Sequence, residues 1–346
     1  MDVIKVILPT VLSFFIGLAI TPFFTRFFYK YRMWTKVPRE VTNKTFGDVH
    51  DPEKETRTPR LGGVIIWVAV LLSIYAIYLV SVFYPTEVTT KLNFLSRSQT
   101  LVPLGAFFFA AILGLLDDFL QILGKGATHE QAFLYRKIKV ALVTLIGAVV
   151  GYWFYFKIDF SSVHVPFWGD LELGVFFIPF FIIVMLATFS TSVIDGIDGL
   201  AGGVLVPVFT AFAAIAMINN QIDISALSGA IAGGILAFLW FNVPPARFYM
   251  GETGMMALTV VLSVIAFLTD SVLLLPIIAL PLVVTSLSVI IQMISVKFFG
   301  GKRVFRVSPL HHHFQALGWS KERIVMRYWI VSFVCAITGV IIALVS

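Results

Sequence analysis

Two adjacent aspartates, Asp117 and Asp118, close an apolar run that begins at Leu101. Moving a carboxylate out of water costs several kcal/mol, and two neighbouring carboxylates also repel each other. An acidic pair at the end of such a run therefore indicates something that offsets its charge. The candidates are a cation, a substrate or a transferred proton.

A second acidic motif, DGIDGLAGG, covers residues 195–203. Asp195 and Asp198 are three residues apart, so one helical turn would place both side chains on the same face. The glycines permit positive φ angles and close approach of another backbone. An ordinary Asp-Gly turn between two spans would explain one such pair. Two pairs followed by Gly-Gly favour a binding loop instead.

A third motif, WFNVPPARFYMGETG, covers residues 240–254. Asn242 closes an apolar segment, and the two prolines after it prevent the helix from continuing. Arg247 and Glu252 follow within a few residues. A purely structural loop is the simpler alternative, but charged groups beside rigid prolines favour a site.

A fourth motif, SPLHHHFQ, covers residues 308–315. Three consecutive histidines cannot all point in one direction on a helix, so a metal site formed by all three is disfavoured. One or two of His311, His312 and His313 could donate hydrogen bonds to a phosphate or a nucleobase. The nearby basic segments GGKRVFR and SKERIVMR could face anionic lipid.

The composition shows in which environment these motifs act. The chain has 346 residues, of which 59% are hydrophobic and 13% are charged. Soluble domains contain about 25% charged residues, so an integral membrane protein is indicated. A spanning helix needs about 20 mostly apolar residues. The predicted spans lie near residues 3–24, 61–83, 101–116, 138–156, 175–193, 204–218, 226–241, 255–268, 272–296 and 328–345.

These spans predict an all-α integral membrane protein with about ten transmembrane helices, built as a single polytopic domain over residues 1–346. The only cysteine, Cys335, lies in the last apolar segment. A single cysteine excludes disulfides within the chain and thiolate metal sites.

Positive charge is concentrated in one set of loops, which carries 21 of the 25 lysines and arginines. The positive-inside rule puts these loops in the cytoplasm and, with ten spans, both termini outside. The carboxylates of the motifs lie on the same face. Mg²⁺ prefers oxygen ligands and bridges carboxylates to substrate phosphates, and basic side chains neutralise the remaining charge. We therefore expect an active site for phosphates and Mg²⁺ on the cytoplasmic face.

Together, the motifs TPRLGG, LLDDF, DGIDGLAGG, LWFNVPPARFYMGETG and SPLHHHFQALGW resemble those of the polyprenyl-phosphate N-acetylhexosamine-1-phosphate transferases. They occur in the family's order and extend over residues 58–319. The family's ten-span architecture with outside termini agrees with the charge pattern. The triple histidine, followed by GW and IVMRYWIVS, resembles the branch of the family that uses UDP-N-acetylmuramoyl-pentapeptide.

The resemblance implies a multi-pass enzyme of the bacterial inner (cytoplasmic) membrane that acts in peptidoglycan biosynthesis. It would transfer phospho-N-acetylmuramoyl-pentapeptide from UDP to undecaprenyl phosphate, releasing UMP and forming lipid I. It also implies Mg²⁺ as cofactor, surrounding membrane lipids and a homodimer, with no nucleic acid partner. A sister transferase for another UDP-sugar and a non-catalytic homologue that binds lipid or nucleotide stay open. A transporter is disfavoured, because the carboxylates lie at one surface.

The same resemblance implies roles for individual residues. Asp117, with Asp118 beside it, would deprotonate or position the lipid phosphate, and a base and a covalent phospho-aspartate both stay open. Glu252 and Asp117 would hold Mg²⁺. The implied substrate-binding residues are Lys125 and Lys137 at phosphate, Asp195 and Asp198 at uridine, Asn242 near the metal and the phosphates, and His311, His312 and His313 along one side.

Four positions depart from the family's pattern. Glu252 stands where the family carries an aspartate, which lengthens the reach of the carboxylate by one methylene. Phe189 and Ser192 replace the two asparagines that usually precede the first DG pair. Gln121 stands where a basic residue is common. These positions bear on metal geometry, nucleotide recognition and phosphate contacts.

Overall fold

The computed structural model describes residues 1–36, 56–95, 99–124 and 129–346, with only the backbone described for residues 129–133. In this part of the chain, ten helices are long and apolar enough to cross a membrane. Their number and type confirm the predicted all-α architecture with about ten spans. Which side of the membrane holds the termini stays a prediction.

Thirteen α-helices are described in this part of the chain. They are α1 (Asp2–Lys30), α2 (Gly63–Phe83), α3 (Glu87–Leu92), α4 (Leu101–Ile122), α5 (His129–Lys157), α6 (Phe177–Ser190), α7 (Leu200–Ile218), α8 (Ile222–Asn242), α9 (Gly251–Leu268), α10 (Leu275–Ile278), α11 (Leu280–Phe298), α12 (Leu310–Ala316) and α13 (Lys321–Val345). Short 3₁₀ turns flank α6 and precede α10. The short helices α3, α10 and α12 lie between spans.

Two of the predicted spans are too short at the end that carries the motifs. Helix α4 continues through the aspartate pair to Ile122, and α9 begins at Gly251, so Glu252 lies in its first turn. A charged residue lowers the local hydropathy, so a count of apolar residues ends there. The helical hydrogen bonds continue past the charge, because these side chains have polar partners. Asp117, Asp118 and Glu252 therefore lie on helices and not in loops.

The predicted ninth span, residues 272–296, is wrong as a continuous helix. The segment divides into a 3₁₀ turn, α10 and α11, with Ala279 between the two helices. Pro281 at the start of α11 has no N–H to donate to the preceding turn, which favours a break there. Only α11 is long enough to span the membrane.

Helix α9 forms the centre of the molecule. All its residues except Glu252 are buried, and it packs against α2, α4 and α6. Gly114 of α4 lies against the backbone of Glu252, where a Cβ atom would overlap the main chain. This close approach brings the acidic ends of α4 and α9 together.

One small sheet is an exception to the helical fold. Strands β1 (Ser162–Val165) and β2 (Gly169–Glu172) pair antiparallel between α5 and α6, with His164 opposite Asp170. The hairpin lies at the end of the molecule where α9 finishes, because the backbone N–H of His164 donates to Asp270. It is therefore at the opposite end from Glu252.

Candidate active site

Asp118 caps the N-terminus of α9. Its carboxylate oxygens accept the backbone N–H groups of Glu252 at 3.1 Å and Thr253 at 2.9 Å. The first N–H groups of a helix have no partners within the helix, and a negative charge there also favours the helix dipole. Asp118 is 0% exposed, and the charge of Arg60 acts on it as well. Asp118 is therefore positioned to hold α9 in place.

Asp117 points to a different partner. Its Oδ2 lies 3.2 Å from Lys139 Nζ and also accepts a 2.6 Å hydrogen bond from Gln121 Nε2. Lys139 Nζ lies 3.0 Å from Glu252 Oε1 as well. One ammonium thus joins the two carboxylates that sequence reasoning assigned to the metal. Gln121, a departure from the family's pattern, orients Asp117.

The donors here fit a magnesium ion. Glu252 Oε2 is buried and has no hydrogen-bond partner among the described residues. A buried carboxylate oxygen without a partner is costly, and a hard cation would satisfy it. Asp117 and Glu252 supply oxygen ligands close enough for Lys139 to bridge them. Both residues could hold the ion if Lys139 moves aside.

The DG loop reaches the same end of α9. Asp195 Oδ2 accepts the N–H of Gly251 at 3.3 Å, and Asp198 Oδ2 accepts the N–H of Ala246 at 3.0 Å. The expectation that one helical turn carries both aspartates is wrong, because residues 195–199 form non-helical turns. Gly199 has a φ of +78°, a conformation that glycine adopts without strain.

Asn242 joins two of these loops. Its Oδ1 accepts the N–H of Gly199 at 2.9 Å, and its Nδ2 donates to the carbonyl of Phe248 at 2.8 Å. Both ends of the buried amide thus contact backbone. Its predicted place near the phosphates stays a prediction, and the contacts show that it fixes the loops on both sides.

The three histidines lie on α12 and do not all point in one direction, as the sequence predicted. His311 is buried, and its ring lies beside Gly196 of the DG loop and 4.3 Å from the ring of His312. His313 Nδ1 instead accepts the N–H of Arg306 at 3.1 Å. Burial, with the nearby Arg306 charge, lowers the pKa of His313, which agrees with a neutral acceptor ring.

The two predicted phosphate lysines are less informative. Lys125 lies outside the described residues. Lys137 is exposed on α5, and Lys139, two residues further on, is the lysine that contacts the carboxylates. Sequence reasoning missed Lys139, although residues 140–156 carry no charge. Lys139 is therefore the deepest charge at this end of α5, and a charge at such a depth needs a partner.

The remaining departures lie beside the DG loop. Phe189, near the end of α6, is partly buried and packs against the hydrophobic core. Ser192 lies in the 3₁₀ turn that follows, and its carbonyl accepts the N–H of Asp195. Phe189 adds no polar atom to the loop.

A second group of ligand-type atoms lies at the other end of α9. Single ligand atoms of His164, Asp170 and Asp270 all lie within 4.8 Å of one another, which is close enough for a possible metal-binding group. Asp170 is largely exposed, and its carboxylate lies 2.9 Å from His164 Nδ1. This group lies outside the sequence motifs described above and was not predicted.

Known proteins resemble the chain over this whole arrangement. Residues 100–270, which include the aspartate pair, Lys139, the DG loop and Glu252, match the family model of glycosyl transferase family 4. A membrane-spanning glycosyl transferase is thus the class that the fold and the match define. Its bacterial relatives and its ten apolar helices show a multi-pass protein of the bacterial inner membrane.

Relatives at 33–36% identity define the family further. A phospho-N-acetylmuramoyl-pentapeptide-transferase of Caldanaerobacter subterraneus is 33% identical over 95% of this chain and 96% of its own length. Proteins of the same name are 36% identical in Listeria monocytogenes, over 84% and 86%, and in a Geobacillus species, over 97% of each chain. The chain therefore belongs to the phospho-N-acetylmuramoyl-pentapeptide-transferase family.

Proposed function

We propose that this protein transfers phospho-N-acetylmuramoyl-pentapeptide from UDP to a polyprenyl phosphate such as undecaprenyl phosphate. An oxygen of the lipid phosphate forms a bond to the phosphorus that carries the sugar. The bond from that phosphorus to the oxygen of UMP breaks, so the products are UMP and lipid I. The name of the relatives supports this choice of substrates.

The observation that carries the proposal is the pairing of Asp117 and Glu252 around Lys139 at the end of two spans. A lipid phosphate lies at the membrane surface, and a soluble nucleotide must meet it there. Phosphoryl transfer depends mainly on positioning and on neutralising charge. A partly buried ammonium between two carboxylates at the ends of these spans can supply both the positioning and the charge neutralisation.

Individual side chains divide the work. Asp117 accepts the proton of the lipid phosphate and orients its oxygen, while Gln121 holds the carboxylate. Lys139 offsets the negative charge that the phosphates bring. Asp118 acts on the reaction only through α9, since both its oxygens contact the backbone of that helix.

Glu252 and Asp117 would hold Mg²⁺, which when bound neutralises phosphate charge during the transfer. Glu252 Oε2, buried without a partner among the described residues, supports this assignment. The DG loop with Asp195 and Asp198, and His311 and His312 beside it, forms the wall of the site where the nucleotide would bind. The homodimer that the resemblance implies stays a prediction.

The decisive experiment measures transfer of a radiolabelled sugar phosphate to undecaprenyl phosphate by the purified protein, with and without Mg²⁺. UDP-N-acetylmuramoyl-pentapeptide should be used and UDP-N-acetylglucosamine should not. Use of UDP-N-acetylglucosamine alone would indicate the sister transferase. Failure to release UMP from either substrate would indicate the non-catalytic homologue.

The proposed cytoplasmic location of the site has its own test. In a Cys335→Ser background, Val304→Cys probes the loop before α12, and Trp168→Cys probes the tip of the hairpin; both native side chains are well exposed. A membrane-impermeant thiol reagent should label Trp168→Cys in intact cells and Val304→Cys only after permeabilisation. The reverse pattern would contradict the positive-inside assignment.

A further inference from the structure

An apolar groove runs between α11 and α13 and is closed at one end by α12. Its volume is about 270 Å³. The lining side chains include Leu280, Val284, Leu310, Phe314, Ile324 and Val331. Tyr328 and Arg327 complete the wall on α13. A groove of this composition on a membrane protein suits a hydrocarbon chain.

Two arginines stand at the mouth of the groove and share one tryptophan. The guanidinium carbons of Arg323 and Arg327 lie 4.6 and 4.4 Å from the ring centre of Trp319. Trp319 itself stacks on Phe314 at 4.8 Å, which ties this platform to the groove wall. Cation–π contact holds both charges in place without neutralising them.

Neither arginine has a carboxylate partner within 4.0 Å in the part of the chain that the structure describes. Both side chains are exposed. Two fixed positive charges one turn apart on a helix repel each other, so the arrangement favours an anion between them.

The groove has the depth of a lipid tail. Helix α13 begins at Lys321, and Val331 is ten residues further, which is about 15 Å along a helix axis. Half of the hydrocarbon core is also about 15 Å thick. The exposed side of α13 is apolar around and beyond this point, with Ile330, Val334 and Ile337 exposed. The arginines therefore lie at headgroup level, with the groove below them.

We propose that this groove binds one anionic phospholipid, with its phosphate held by Arg323 and Arg327 and one acyl chain lying between α11 and α13. Basic pockets between membrane helices commonly hold such headgroups. The inference concerns a site distinct from that of the proposed reaction, and it holds or fails without reference to turnover.

The geometry favours a phospholipid over the lipid substrate. On α12, His311 faces Gly196 and the candidate active site, whereas Leu310 and Phe314 face the groove. A polyprenyl phosphate whose phosphate lay on Arg323 and Arg327 would thus be separated by α12 from the DG loop.

Native mass spectrometry of the delipidated protein, mixed with equal amounts of phosphatidylglycerol and phosphatidylcholine, tests the proposal. We expect a single bound phosphatidylglycerol, retained about tenfold more than phosphatidylcholine. Arg323→Gln with Arg327→Gln should bring the two lipids near parity. Arg303→Gln, which removes an exposed charge outside the groove, is the matched control and should leave the preference unchanged. Equal retention in the wild type, or a preference unaffected by the double variant, would overturn the proposal.

Further arms identify the bound anion. Val284→Phe fills the groove without changing charge, and it should weaken phosphatidylglycerol binding severalfold while the melting temperature is kept. Millimolar inorganic phosphate should not displace the lipid. Displacement by phosphate alone would mean a free-anion site, and one-for-one displacement by undecaprenyl phosphate would assign the groove to the lipid substrate. Either result would overturn the phospholipid assignment.

Discussion

Helix α9 has an acidic group at each end, and the two groups differ in how their charge is offset. At its start, Asp117 and Glu252 share the ammonium of Lys139, and Asp117 is only 8% exposed. At its end, Asp270 accepts an N–H from the backbone of His164, and no lysine or arginine pairs with it among the described residues.

The start of α9 has the charges expected of an active site, whereas the end of α9 has carboxylates that need no cation. Two largely buried carboxylates with one lysine leave a net negative charge, which a bound cation would neutralise. The unpartnered Oε2 of Glu252 lies at this position. At the other end, 65% of the Asp170 side chain is exposed, so water screens its pairing with His164. We therefore expect substitutions at the start of α9 to affect turnover strongly, and those at its end to affect it little.

The largest effect is expected for Asp117→Asn. The amide keeps the size of the side chain but can neither accept a proton nor pair as an ion with Lys139. Turnover should fall by about a hundredfold to ten-thousandfold, the range for general acid–base catalysis. Initial rates of UMP release measure this, with circular dichroism to confirm folding.

Asp118→Asn is the matched control for that change. Asp118 is fully buried and caps α9, so its loss should lower the melting temperature, which Asp117→Asn should leave almost unchanged. Near-normal turnover in Asp117→Asn would remove it from the chemistry. Equal destabilisation by both would mean that the pair is structural.

Glu252 gives the next largest effect. Glu252→Gln should lower Mg²⁺-dependent turnover on the order of a hundredfold, because a neutral amide is a poor ligand for Mg²⁺. Glu252→Asp restores the family's residue but shortens the reach by about 1 Å, and a displacement of that size can also cost about a hundredfold. We expect aspartate to be slow here, since Lys139 is placed for the longer side chain.

A titration of UMP release against Mg²⁺ concentration distinguishes these variants. Unchanged Mg²⁺ dependence in Glu252→Gln would exclude Glu252 from the metal site. A rate in Glu252→Asp equal to or above that of the wild type would mean that the site merely tolerates glutamate.

Lys139→Gln should have a smaller effect on turnover, about tenfold, as expected for loss of charge-assisted hydrogen bonds. Its effect on ion binding should be clearer. Without the ammonium, Asp117 and Glu252 are left uncompensated, so the protein should be less stable without metal, by on the order of 2 kcal/mol. Added Mg²⁺ should then raise its melting temperature more than that of the wild type.

Arg136→Gln is the control for that experiment, because Arg136 is an exposed basic residue on the same helix. It should respond to Mg²⁺ as the wild type does. If Lys139→Gln and the wild type showed the same Mg²⁺-induced shift, the lysine and the ion would not share these carboxylates.

Much of the fold could be predicted from the sequence, because apolar length determines spans in a membrane directly. The failures lie where charge interrupts hydropathy. The predicted spans stop before the end of α4 and begin after the start of α9. Asp117 and Glu252 interrupt the apolar residues there, but they do not interrupt the helices. The break at Ala279 was missed, because α10 and α11 are both apolar.

The sequence named several side chains that the structure brings together, but not their geometry, and their roles stay predictions. Asp117, Asp195, Asp198 and Glu252 do lie around the start of α9, but Lys139 was missed. A lysine on α5 meets the carboxylates only through tertiary packing, and no spacing rule links residues 117, 139 and 252. The division of labour between Asp117 and Asp118 likewise depends on which helix each side chain faces.

The smallest effect is expected at the other end of α9, for Asp270→Asn. Burial raises the pKa of Asp270 above its ordinary value of 3.8, aided by the Asp170 charge and opposed by the hydrogen bond from the His164 N–H. The folded protein therefore holds more protons at this carboxylate than the unfolded chain does. Its stability falls as the pH rises from the ordinary pKa of aspartate through the raised pKa of Asp270. An asparagine keeps the acceptor for the His164 N–H and removes this penalty. At neutral pH the variant should melt on the order of 1–2 °C higher than the wild type, with the gap closing below the ordinary pKa of aspartate.

Melting curves between pH 3.5 and about 7, a window fixed by that ordinary value and neutrality, and the rate of UMP release are the measurements. A lower melting temperature at neutral pH would show that the ionised carboxylate is stabilising, and a large loss of turnover would end the contrast between the two ends of α9.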